Sequence, residues 1–103
     1  MKVVLSARVE ADIARQLQYG IDHFGRAVAE RTFTRVDRYL FTYLAGRPDA
    51  GRYLAGRDLS EASVSKTPFV IMYRVDTRTD TLTVVGFFYH SQDRSTFDPD
   101  EPG

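Results

Sequence analysis

Two apolar runs held apart by five polar residues constrain this chain more than any other feature. Phe69–Val75 and Thr81–Tyr89 are dominated by β-branched and aromatic side chains, which suit a pleated, half-buried surface. Asp76-Thr77-Arg78-Thr79-Asp80 between them has room only for a hairpin turn. Pro68 opens the first run, where a missing N–H costs the ladder least. The second run then delivers His90, Gln92, Asp93 and Arg94 at its end. Polar groups at a strand end are held still and still meet solvent, so a site is expected there.

The chain before the hairpin reads as one strand and two helices. Lys2–Leu5 is a short β-type run, and Ser6 after it suits a helix N-cap. Val9, Ile13, Leu17, Ile21 and Phe24 recur at helical spacing, which marks one apolar face. Glu10 and Asp12 suit the positive end of that helix, Gly25 suits its C-cap, and Gly20 counts against a helix interior. A second helix is predicted from about Arg26 to Ala45. Val28 or Ala29, Phe33, Val36, Leu40 and Leu44 form its stripe, while Arg31, Arg35 and Arg38 lie off it. Gly46 and Pro48 stop it. So short a link implies an antiparallel helical hairpin.

Asp49–Arg57 reads as a glycine-punctuated loop, and Leu59–Val64 alternates enough for one more strand. The predicted class is therefore α+β, in the order β-α-α-β-β-β, with the helical hairpin packed on one face of an antiparallel sheet. Residues 1–94 form one domain. Residues 95–103 form an acidic, flexible tail with Phe97 as its one anchor.

Composition removes several classes of function. A chain of 103 residues holds one core and no second domain. No apolar run approaches the roughly 20 residues of a membrane helix. The N-terminus turns charged too soon for a secretory signal. Cysteine is absent, which suits a reducing cytoplasm, the expected location. Fourteen basic residues balance fourteen acidic ones, so the free chain has no global field to pull it strongly onto nucleic acid. Twelve of the fourteen bases are Arg, the residue suited to fixed bidentate contacts. Three acids and no base lie in the last nine residues.

The remaining constellations are few. His23 and His90 are far apart and form no helical metal-ligand pair, and no cofactor or metal is expected. His90, Asp93 and Arg94 form the best cluster, open to two readings. One is acid/base and anion-binding chemistry. The other, more common for such groups, is a backbone-bonded His beside a solvated ion pair. Tyr73 and Arg74 alternate across the central strand, Tyr73 toward the core and Arg74 toward a partner or solvent. Phe87, Phe88 and Tyr89 are adjacent, so one of them must turn away from the helices. An outward Phe88 needs a cover from another chain, a loop or the tail.

These residues resemble the RelE/ParE superfamily of type II toxin–antitoxin toxins, on its ParE-like branch. The resemblance rests on VVLSARVEADIARQLQYGIDHFG at the start, RPDAGR between helices and sheet, and the paired strands FVIMYRVD and VVGFFYHSQDR. It spans about Val3 to Arg94. It implies a bacterial growth-arrest toxin with a cognate antitoxin, ParD-like or another DNA-binding type. It also implies DNA gyrase as the target, inhibited by binding. The alternatives are a RelE-like ribosome-dependent mRNA endonuclease and an inactive homologue kept as a binding module.

Endonuclease members carry an Arg where this chain has Val70, another where it has Phe87, Phe88 and Tyr89, and a strongly basic surface that is missing here. An endonuclease reading would use His90, Arg94, Arg74 and Tyr89. The gyrase reading keeps His90, Asp93, Arg94 and Arg74 as target contacts. Phe88, Arg31, Arg35 and Arg38 are the expected antitoxin contacts.

Overall fold

A computed structural model describes residues 1–101 of the chain. Strand β1 (Lys2–Leu5) leads into α1 (Ala7–Phe24) and α2 (Arg26–Arg38). A π-helical stretch, Tyr39–Leu44, continues α2 directly. Strands β2 (Arg52–Leu54), β3 (Leu59–Ser63), β4 (Phe69–Asp76) and β5 (Thr81–Tyr89) follow. They form one five-stranded sheet in the order β1-β5-β4-β3-β2. The helical hairpin covers one face of this sheet, as the apolar patterns require.

Local chemistry sets the helix ends. The Ser6 hydroxyl accepts from the Val9 N–H at 3.1 Å, satisfying one of the first-turn donors that lack an intrahelical partner. Gly25, at a φ of 89°, donates to the Ile21 carbonyl and starts α2 with its own carbonyl, so one residue serves both helices. Gly20 is explained by the same hairpin. A Cβ there would lie 3.3 Å from the Ala29 Cβ, so the two helices approach closely at this point. Ala29 is accordingly buried and Val28 exposed, which resolves the ambiguity in the α2 stripe.

The sheet departs from the sequence-based expectation in three ways. First, β1 pairs with β5 in parallel, from Lys2 opposite Thr81 to Leu5 opposite Val84, so the sheet is mixed. Second, the glycine-punctuated segment holds an edge strand. Arg52–Leu54 pairs with β3 and turns through Ala55–Asp58, where Gly56 and Asp58 take positive φ. Third, β5 bulges opposite Met72/Tyr73, where Met72 faces Gly86 and Tyr73 faces Val84. The bulge interrupts the period-two alternation, so Leu82 and Val84 before it and Phe87 after it all reach the helix side.

The main core lies between helices and sheet. Val9, Val36, Leu40 and Leu44 from the helical side meet Ile71, Tyr73, Leu82 and Val84. A smaller apolar layer, Leu59, Met72 and Val85 with Leu54, Phe88 and Phe97, covers the other face. Tyr73 is fully buried and ties the helix-to-sheet link to the sheet. Its hydroxyl donates to the Pro48 carbonyl at 2.8 Å and accepts from the Gly51 N–H at 2.9 Å.

Candidate functional site

The chemistry-bearing residues fall on three separate surfaces. The first is the end of β5. Its backbone is held by the His90 N–H, which donates to the Pro68 carbonyl at 2.8 Å, and by the Gln92 side chain, which accepts from the Tyr89 N–H at 3.1 Å. Arg94 then locks the turn. Its Nη1 fans onto the His90 and Gln92 carbonyls at 3.0 and 2.8 Å. Its Nε and Nη2 grip the two carboxylate oxygens of Glu61 on β3, at 3.2 and 3.4 Å. Both side chains of this pair are less than one-fifth exposed.

This geometry gives Arg94 a structural role. A guanidinium whose fork already holds a carboxylate is not free to receive a phosphate. Glu61 was invisible as its partner in the sequence, 33 positions upstream in a weak strand, because only the sheet register sets β3 one strand away from β5, across β4. Asp93 is open to solvent and accepts from the Ser95 N–H at 2.9 Å. That bond, with the Ser95 side chain and nearby Arg94, holds its carboxyl below the ordinary Asp value. His90 is exposed at the rim.

The four residues of the endonuclease reading do not converge. Arg74 pairs with Thr83 and Tyr89 with Phe69, so roughly 17 Å of strand separates Arg74 from the His90 end. Arg74 is also engaged, with Nε on the Asp58 carbonyl at 3.4 Å and Nη1 on Asp100 at 3.3 Å. The Tyr89 ring packs at 5.0 Å from Phe69 on the helix side, and burial raises its phenol above the ordinary Tyr value. It remains a protonated phenol at neutral pH and is no general base. Among the described residues, no group of His, Asp and Glu is placed to hold a metal.

Beside this strand end lies an apolar groove that the sequence reading did not single out. Tyr19, Phe24 and Val28 from the helical hairpin face Pro68, Phe69 and Tyr89 across it. Phe24 is 63% exposed and Tyr19 45%, so large apolar side chains stand in water here. Helix periodicity had assigned Phe24 to the core face.

The second surface is the exposed side of α2. Arg31, Arg35 and Arg38 are all solvent-facing, as expected. The structure adds Tyr39, Tyr43 and Lys66 to Arg35 and Arg38 around one shallow groove. The Tyr39 and Tyr43 rings pack at 5.2 Å, tilted by 35°, four positions apart along the π-helical stretch. The groove is basic and aromatic. Lys66 comes from the β3–β4 turn, at a φ of 61°.

The third surface is the outer face of the sheet. Of the three adjacent aromatics Phe88 is the one that points away from the helices, set there by the β5 bulge, and its cover is the chain's own tail. Phe97 meets Phe88 edge-on at 5.0 Å. Phe88 and the α2 arginines therefore lie on opposite sides of the molecule, and no single straight segment can contact both.

Residues 3–94 match the family described as ParE toxin of type II toxin–antitoxin system, parDE. The chain belongs to the ParE toxin family. It is thus a type II toxin–antitoxin toxin, and the family implies a cognate antitoxin as its partner. No curated protein matches the chain. The matched span ends at Arg94, so the docked tail lies outside the ParE toxin unit. Among the described residues, no helix is long and apolar enough to cross a membrane.

Proposed function

We propose that this ParE-family toxin arrests growth by binding DNA gyrase and blocking replication, without cutting RNA. The distance of Arg74 from the His90 end of β5, with Arg94 held by Glu61 and Tyr89 packed on the helix side, carries this reading. A phosphodiester cleavage site needs an acid/base and a charge-stabilising group within reach of one phosphate, and these residues do not supply both together. The strand-end rim, His90 and Asp93, beside the apolar groove of Tyr19, Phe24 and Val28, is the proposed gyrase contact. Arg74 lies on the other face and drops out of that contact.

Inducible expression in bacteria, followed by parallel assays of DNA synthesis and mRNA integrity, tests the proposal. DNA synthesis should fall early with mRNA intact. Early mRNA cleavage would overturn it and return His90 to a catalytic role. Normal growth with folded protein would favour an inactive homologue retained as a binding module.

The antitoxin is proposed to seat an acidic, partly aromatic-compatible segment on the groove of Arg35, Arg38, Tyr39, Tyr43 and Lys66. Charge complementarity and stacking surface support that assignment, with Arg31 extending the rim. Reversing Arg35 and Arg38 to Glu should weaken antitoxin binding at least tenfold and restore growth arrest in cells that express the antitoxin. Unchanged affinity in titration calorimetry would remove this face from the interface.

A further inference from the structure

The outer face of the sheet is built to hold an extended peptide, and the tail displays how. Phe97 fills a recess over Leu59, Met72, Val85 and Phe88. Gly86 forms its floor, since a Cβ there would come within 2.5 Å of the Phe88 ring and 3.1 Å of the Phe97 ring. Three arginines from three elements converge on the same short segment. Arg57, in the β2–β3 turn, donates to the Phe97 carbonyl at 2.6 Å. Arg8, from α1, lies 5.5 Å from the Phe97 ring centroid and donates to the Asp98 carbonyl at 3.4 Å. Arg74, from β4, pairs with Asp100.

We propose that this face is a docking site for a protein segment bearing an aromatic residue followed within a few positions by carboxylates, with the chain's own tail as a displaceable stand-in. The recess and all three arginines belong to the matched toxin unit, whereas the tail that fills it lies outside that unit. Arg57 and Arg8 bind peptide carbonyls, which any sequence offers, so the aromatic ring and the following acids carry the selectivity. The tail's hold is light. One half-buried ring anchors it, and the Arg74–Asp100 pair is 36% and 75% exposed, a class of ion pair worth little in water. Its advantage is tethering, which a partner of higher affinity overcomes. The inference stands on the fold alone, so its failure leaves the gyrase reading untouched.

The test uses a fluorescent peptide with the sequence of residues 95–103 and the full-length chain, native and with Phe97→Ala plus Asp100→Asn. The altered chain should bind the peptide at least tenfold more tightly than the native chain, whose own tail competes. A peptide with Ala in place of its Phe should lose that binding, and raised salt should weaken it. Equal affinity for both chains, or no binding to an altered chain of native circular dichroism, would overturn the proposal. A second measurement needs no variant. Excess peptide added to the native chain should move the backbone amide resonances of Thr96, Phe97, Asp98 and Asp100 toward random-coil positions, and a tail left in place would equally defeat the idea.

Discussion

Gly51→Ala is expected to destabilise this toxin by about 3 kcal/mol, combining overpacking with lost hydrogen bonds, and to lower its melting temperature by roughly 15 °C. A Cβ at position 51 would lie 2.5 Å from the Tyr73 hydroxyl and 2.8 Å from the Glu61 carbonyl oxygen. Neither neighbour can retreat easily. Tyr73 is fully buried in the central strand, and the other atom is backbone of β3. The methyl would also break the two bonds by which the Tyr73 hydroxyl holds Pro48 and Gly51.

Tyr73→Phe removes those bonds and leaves two backbone groups in need of partners, at a cost of about 2 kcal/mol. The two substitutions should be sub-additive, because Phe removes the oxygen that the new methyl strikes. Thermal unfolding of the four chains decides the matter, and strict additivity would refute the steric account. Alkaline titration adds an independent check. Burial raises the Tyr73 phenol, so its contribution is complete below the ordinary Tyr value and is lost as pH rises through the higher folded one. The native chain should therefore lose more stability above about pH 10 than Tyr73→Phe does.

Arg94→Ala should cost about 2 kcal/mol, a figure reduced from the fully buried case because the pair keeps some solvent contact. It removes the fork on Glu61 and the cap on the turn carbonyls together. Glu61 would keep only Arg52, at 3.8 Å and from a side chain 75% exposed. Glu61→Ala should cost nearly as much, and the double variant scarcely more than either single one. A coupling energy near zero from urea unfolding would place Arg94 among the solvated surface arginines and free it for a target. Arg94→Lys should recover little, since an ammonium cannot span both carboxylate oxygens and the turn carbonyls at once.

The Arg94–Glu61 anchor explains why the strand-end cluster reads differently in space than in sequence. His90, Asp93 and Arg94 are neighbours along the chain, yet Arg94 turns inward as the strut that holds the other two outward. The rigid rim so formed beside Tyr19, Phe24 and Val28 suits recognition, where fixed groups limit the entropy lost on binding. The outer face is the second proposed docking surface, on the opposite side. A molecule of this size can thus present separate faces to a target, an antitoxin and its own tail.

Much of the architecture was already written in local patterns. The β4–β5 hairpin followed from β-branched and aromatic runs flanking a five-residue polar turn. Both helices followed from apolar spacing, with Ser6 and Gly25 marking the ends where backbone donors and a positive φ needed them. That one of Phe87, Phe88 and Tyr89 turns outward followed from their adjacency, but the bulge in β5 decided that it is Phe88. These features depend on residues within a few positions of one another, which a linear pattern records.

Tertiary structure decided the rest, because each remaining feature joins residues far apart in the chain. The parallel pairing of β1 with β5 spans nearly eighty residues and leaves no trace in the strand patterns themselves. The edge strand Arg52–Leu54 is made by its ladder with β3, since its own sequence reads as a loop. The five-residue hydrogen-bond period of Tyr39–Leu44 hides behind the four-residue spacing of Leu40 and Leu44. Glu61 as the holder of Arg94, and Phe97 with Arg8, Arg57 and Arg74 on the outer face, emerge only when the register sets strands side by side. The sequence by itself determined both helices, four of the five strands and most of the faces they bury. The fold decided which charged groups were free to bind and which were already spent on holding the chain together.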